Sequence, residues 1–225
     1  MANSRQSPRR PARADRTPTQ AGRRPLPLQI AAIGVAAVGA WLLFVRTVGP
    51  GTIPDAAVAA AAGAGCDDLE RPVQPQPSRD HLASGATFDY PDPPPAAGPH
   101  DPSPLPAEPA VHEAPVSTTR AVHNLEHADV LIWYRPGGDG GLSADVVEVL
   151  RAVAENERGV IMAPFPDLPE GRALALVAWN TRWLCPAGLT GETATTIAQA
   201  FVDAYRGTTN APEAPRGLFG PMFAP

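Results

Sequence analysis

Thirteen prolines fall in the fifty residues from Asp67 to Val116. Each removes a backbone donor and restricts the residue before it, so this stretch cannot form a continuous helix or sheet. Regular structure must come from its flanks. The stretch is still no bland spacer, because it carries His81 in "DHLASG", Phe88 and Tyr90 in "FDYPDPPP", and His100 in "GPHDP". A disordered linker has little use for aromatics and spaced histidines. We expect these segments to drape over a folded domain, with residues 101–110 the most mobile.

On the N-terminal side lies "LQIAAIGVAAVGAWLLFV", residues 28–45, with one polar side chain, Gln29, and no charge. As a helix it would span about 27 Å, enough for a bilayer core when Leu26 and the flanks help. Trp41 suits the interfacial belt. Residues 1–25 hold seven arginines against the single acid Asp15, whereas ten arginines face 22 acids from residue 51 onward. A basic arm directly before an apolar run sets orientation: the N-terminus is cytoplasmic, and the chain after Arg46 is exported. The acidic remainder excludes nucleic acid as a partner of the folded part. A cleaved signal peptide is the rival reading, since "AAVAAAAGAG" at 56–65 offers small-residue sites and Cys66 follows it. The apolar run is longer than a signal peptide needs, and no bulky aliphatic residue precedes Cys66, so a retained single-pass anchor is favoured.

Cys66 and Cys185 are the two cysteines. Outside the membrane they read most simply as one disulfide joining the start of the domain to its end. The absence of a C-x-x-C pair leaves a thioredoxin-type redox enzyme unsupported.

Residues 117–206 read as the core. "STTRAVHNLEH" opens on cap-type residues and predicts a short helix, and "ADVLIWYRP" a buried strand ending at Pro136. In "SADVVEVLRAVAEN", Ser143 is the N-cap, and Val146, Val149, Leu150 and Val153 recur at helical spacing. "GVIMAPF" and "RALALVAWN" predict strands, "TRWLCPA" a further short one. "TGETATTIAQAFVDAYRG" predicts a helix stopped by Gly207. The order implies one small α+β or α/β domain, with helices packed on a short mixed sheet. The expected division is a cytoplasmic Arg-rich disordered arm (1–25), a transmembrane anchor (26–46), a linker (47–65), an exported domain (66–213) and a tail (214–225). Within the exported domain, 66–116 form the Pro-rich wrap and 117–206 the core.

All five histidines, at 81, 100, 112, 123 and 127, lie in one window. On a helix His123 and His127 are one turn apart on one face, a spacing that suits two ligands of one metal. His100 and His81 are the candidates to complete a site, and imidazole-rich sites outside the cytoplasm suit copper or zinc. Glu126 projects roughly 100° from His127 and is expected beside the metal, holding a water or orienting a histidine. Met162 and Met222 are possible thioether ligands, although a strand methionine is more often core. Read as H-x-x-E-H, residues 123–127 also match the inverted zinc proteases, with Glu126 as base and Glu192 or Glu213 as the completing acid. Against that, the motif passes within two residues into a strand, and the domain is small for enclosing a peptide. The plainest reading makes the histidines and Glu126 buried polar residues satisfying backbone groups.

"HLASG…FDYPDPPPAAGPH", "AVHNLEHADVLIWYRP", "ALVAWN" and "APE" resemble the membrane-anchored bacterial family catalogued as domain of unknown function 3105. Its members pair a Y-x-x-x-P-P-x-x-G-x-H segment with V-H-N-L-E-H-G, an A-W-G strand end and a closing P-E. The resemblance covers residues 66–213 and implies an N-terminal anchor, a small exported domain and no established activity. It also implies that the Pro-rich stretch belongs to the domain. His81, His100, His123, Glu126 and His127 fall on the family's motif positions. The chain departs at Ala128-Asp129, where glycine usually follows the motif, at Asn180 after Trp179, and around His112, where Gly-x-Tyr is common.

Two classes of function follow. One is an exported metal-binding protein handling copper or zinc. The other is a non-catalytic, membrane-tethered interaction domain whose protein partner the sequence does not name; a zinc hydrolase is a distant third. The topology is directly testable. A phosphatase reporter fused after residue 120 should be active, and activity of a cytoplasmic reporter at the same point would reverse the orientation.

Overall fold

The computed structural model describes residues 51–208 and 211–214. The Arg-rich arm, the anchor at 26–46, Met222 and most of the tail lie outside the described residues. Among those described, no helix is long and apolar enough to cross a membrane.

In chain order the elements are helix α1 (Asp55–Gly63), α2 (Thr118–Glu126), strand β1 (Val130–Tyr134), α3 (Ala144–Asn156), β2 (Val160–Pro164), β3 (Leu174–Ala178), β4 (Thr181–Cys185) and α4 (Gly191–Tyr205). Side chains at three helix starts accept a hydrogen bond from the first turn: Ser117 from Arg120, Ser143 from Val146 and Thr190 from Thr193. Such caps satisfy amide donors that a helix leaves without internal partners.

The strands form one mixed sheet in the order β2-β1-β3-β4. The crossover helix α3 makes β1 and β2 parallel, while β1–β3 and the β3–β4 hairpin are antiparallel. Helices on a short mixed sheet make this an α+β domain, as expected. "TRWLCPA" supplies a full hairpin strand.

Every strand position is buried. On one face Val130, Ile132, Leu174, Leu176 and Trp183 pack under α1, α3 and α4. On the other, Leu131, Trp133, Ile161, Val177 and Leu184 pack with Val122 and Leu125 of α2 and with Ala96, Ala97 and Leu105 of the Pro-rich stretch. A sheet apolar on both faces needs two covering layers. The Pro-rich stretch is half of the second one.

That stretch also closes both sheet edges. Glu70 and Arg182 exchange backbone hydrogen bonds of 3.0 and 3.1 Å beyond β4. At β2, Met162 donates to the Ala110 carbonyl and accepts from His112 N, each at 2.8 Å. Paired edges remove a template for aggregation. The Arg182 side chain, almost wholly buried, ties the wrap further, with Glu70 and Asp92 carboxylates each 2.7 Å from its Nη2.

Two expectations are corrected. The linker expected at 47–65 contains α1, whose Ala57 and Ala61 are buried against the core. A run of alanines has high helix propensity but no amphipathic period to announce it. Residues 101–110 are not loose either: Leu105 is buried, and the Asn124 side chain bonds both its N–H (2.8 Å) and its carbonyl (3.3 Å). Cys66 and Cys185 are joined in a disulfide, with Cα atoms 4.0 Å apart, stapling the residues after α1 to the end of β4.

The two departures at glycine positions have a structural counterpart. Among the described residues, Ala128 and Asn180 are the non-glycine residues with positive φ, at 71° and 52°. Ala128 follows the last turn of α2; its N–H donates to Leu125 O and that of Asp129 to Asn124 O, both at 3.0 Å. This double closure is the Schellman arrangement, which favours glycine. Asn180 tolerates the same backbone region, and its amide gains two 2.8 Å bonds to the backbone of Gln74.

Relief of the Ala128 strain should outweigh the entropy glycine adds to the unfolded chain, so Ala128→Gly should stabilise by about 0.5–1 kcal/mol. Denaturant midpoints measure it. An unchanged or lower midpoint would mean that the buried methyl contributes more than the backbone strain costs.

Candidate metal centre

The segment from Tyr90 to His100 is a stiff bracket. The Tyr90 hydroxyl donates to the Pro99 carbonyl at 2.6 Å, and Pro94 to Gly98 are buried. Gly98 has φ 130°, and a Cβ there would stand 3.2 Å from the Tyr90 ring, so glycine is required. The Gly98 carbonyl accepts from His100 Nδ1 at 2.9 Å. The backbone of His100 donates to Asp80 O and accepts from Leu82 N, which sets His81 beside it.

Asp101 joins the bracket to α2. Its carboxylate accepts from Gly85 N (2.6 Å) and Ser103 N (2.8 Å), and those two bonds hold it below the usual carboxylate range. Its backbone carbonyl accepts from His123 Nδ1 at 2.6 Å.

The helix α2 presents the motif. It is a wedge between the sheet and the wrap, so seven of its nine residues are buried. Leu125 faces the sheet, while Asn124 holds Leu105 and donates to Asp129 Oδ2 at 2.9 Å. His123 and Glu126 enter the space enclosed with His100. His100 is fully buried, His123 is 6 % exposed, and His81 lies at the exposed rim.

Three imidazoles converge. The ligand atoms of His81, His100 and His123 all lie within 4.8 Å of one another. The His81 and His123 rings stack at 5.4 Å, and His100 stands edge-on to both, 4.9 and 5.1 Å away. The indole of Trp179 packs edge-on at 6.3 Å from His100, closing the apolar side. A tetrahedral ion with bonds of about 2.0–2.1 Å puts its nitrogens roughly 3.4 Å apart, a small contraction with one ring exposed.

The backbone carbonyls determine what those rings can do. Nδ1 of His100 and of His123 each faces a carbonyl and must donate, so in the neutral rings Nε2 carries the lone pair. Carbonyl-bonded Nδ1 with a free Nε2 is the orientation protein ligands give metals. His100 Nε2 is buried without an aligned hydrogen bond, although Glu126 Oε2 lies 2.9 Å from it. A lone pair facing a carboxylate is repulsive unless a proton or a metal cation lies between them.

His127 stands apart from this group. It is the C-cap of α2 and not its next turn; its Nε2 is 2.9 Å from His123 Nε2, and its Nδ1 is 3.5 Å from Glu213 Oε2. Of the four expected ligands, His81, His100 and His123 form the group, and His127 meets it through His123 only. Of the protease arrangement, His123, His127 and Glu213 are adjacent, but the helix ends at Glu126, whose carboxylate faces His100 and not the space between the two histidines. Glu192 lies in the first turn of α4, on the opposite sheet face. Met162 packs on that same far face, and His112 pairs with the β2 edge. Sequence reasoning missed Asp101 and Asn124, whose roles depend on contacts across about twenty residues.

Fold and site together define a small α+β domain organised round a cluster of histidines. The chain belongs to the protein family of unknown function DUF3105, which it matches over residues 81–217, beginning on the first of those histidines. No curated protein and no solved structure matches it.

Burial, and then the neighbouring His127, His100 and His81, lower the His123 pKa, against the opposing bond to Asp101. The unfolded chain therefore binds the proton more readily. The His123 contribution to stability is complete above the unfolded value of about 6.5 and is lost as pH falls below it. The metal-free thermal midpoint should fall between pH 7.5 and 5, less steeply in His123→Gln, which keeps a donor for Asp101. Equal slopes in the two proteins would contradict this assignment.

Proposed function

We propose that the domain binds one transition-metal ion, copper or zinc, through His81, His100 and His123, on the outer side of the membrane to which the N-terminal segment anchors it. The observation that carries this reading is the convergence of His81, His100 and His123, with the Nδ1 atoms of His100 and His123 committed to the Gly98 and Asp101 carbonyls and the Nε2 of His100 buried without a hydrogen bond. Imidazole is a good donor to both metals, and three such ligands fix an ion where two exposed ones bind weakly. Glu126, against His100, would balance the ion's charge and orient that ring. With three protein donors and an exposed rim, a fourth position is left for water or an exchanging ligand.

The second reading is a structural cluster in a non-catalytic interaction domain. It is favoured by the same Nδ1 bonds, which tie His100 and His123 into the wrap whether or not a metal binds.

Metal analysis of the purified protein separates the two. About one equivalent of zinc or copper is expected after loading and desalting, and His123→Gln or His100→Gln should abolish it while the chain stays folded by circular dichroism. Equal uptake by parent and variants would reject the site.

A further inference from the structure

The fourth imidazole is neither in the triad nor remote from it. His127 has a side chain 43 % exposed, at the end of α2, where the Schellman turn through Ala128 swings the chain away. Its Nε2 lies 2.9 Å from the Nε2 of His123, with the two rings stacked at 4.8 Å. Its other nitrogen points toward Glu213, itself half-exposed, and Glu213 is tied by its N–H to the Glu126 carbonyl at 3.0 Å. Without a metal the 2.9 Å contact is a hydrogen bond between the two rings, and a metal ion takes the place of its proton when Nδ1 turns its own proton to the Glu213 carboxylate.

We infer that His127 is an entry ligand: it takes a metal ion from solution or from a small chelate and passes it to the triad through a state shared with His123. This rests on the triad reading above. Two nitrogens 2.9 Å apart can hold one ion, with bonds of about 2.05 Å, at an angle of about 90°. The angle is compressed from the tetrahedral one, so the shared state is a step on the path and the resting site lies deeper, with His100 and His81. Entry from the rim by way of His81 alone offers an ion one imidazole at the surface before the fully enclosed His100, so the remaining waters are shed with a single protein ligand in place. An exposed imidazole in contact with the outermost buried ligand replaces those waters one bond at a time.

The test is kinetic and uses the full-length protein. Zinc uptake, and release from the loaded protein to an excess of a chromophoric chelator, are followed by stopped flow for the parent, His127→Ala and His123→Gln. His127→Ala should slow uptake and release alike, about tenfold or more, and leave equilibrium zinc affinity within about threefold. Glu213→Gln should move the rates in the same direction by less. His123→Gln should abolish stoichiometric binding. Loss of stoichiometric zinc in His127→Ala would make it a resident ligand and overturn the relay. Unchanged rates would overturn it as well. Failure of the parent to take up zinc or copper removes the triad itself, an outcome visible before any variant is compared.

Discussion

A four-stranded sheet that is apolar on both faces cannot be left with helices on one side. The three helices α1, α3 and α4 cover one face, and the nine residues of α2 are too few to cover the other. The remainder is supplied by a proline-rich chain, which has little regular hydrogen bonding of its own and must borrow partners. Hence Asn124 bonds both backbone groups of Leu105, Arg182 gathers the backbone and carboxylate of Asp92, and both sheet edges receive a backbone bridge. Proline lowers the cost of this arrangement, because a chain already restricted in the unfolded state loses less entropy when fixed. The disulfide from Cys66 to Cys185 acts in the same sense on the first segment of the wrap.

The site follows from that constraint. Side chains of α2 facing the wrap meet irregular backbone whose carbonyls are free to accept, and two of those carbonyls, of Gly98 and Asp101, receive the Nδ1 protons of His100 and His123. On a regular strand the same carbonyls would have been used by the neighbouring ladder. Irregular backbone over a short helix is therefore a means of turning imidazole rings so that their second nitrogens point inward.

The sheet and three of its helices were legible because they depend on local periodicity and caps: Ser143 before a 3.6-residue repeat, and apolar strands closed by Pro136 or glycine. The i,i+4 pair was legible as a pair, and His100 and His81 as its partners, yet the ring grouped with them is His123 alone. His127 reads as helical in "NLEH", but the Schellman turn at Ala128 makes it a cap, and only the tertiary path of the wrap shows that His81 is paired with His100. The helix α1 was missed because alanine carries no face. Asp101 gave no signal at all, since it works through its backbone carbonyl as much as its carboxylate.

The structural and metal-binding readings share most of their observations, and what divides them is the second nitrogen of each ring. The Nδ1 bonds account for the packing of His100 and His123, and a glutamine or asparagine amide could donate to the same carbonyls. They leave unexplained why the buried Nε2 of His100 faces a carboxylate with no aligned hydrogen bond. At His123 the Nε2 lone pair accepts from the Nε2–H of a neutral His127, 2.9 Å away, so the contact that sets a lone pair against a carboxylate is His100–Glu126, also at 2.9 Å. A proton shared between His100 and Glu126 relieves that contact without a metal, as a buried hydrogen-bonded pair. One divalent ion relieves several lone pairs at once and sets its charge against Glu126. The structural reading therefore needs a proton at His100–Glu126 where the metal reading needs a cation, and the two divide on whether the converging nitrogens of His81, His100 and His123 take up an ion.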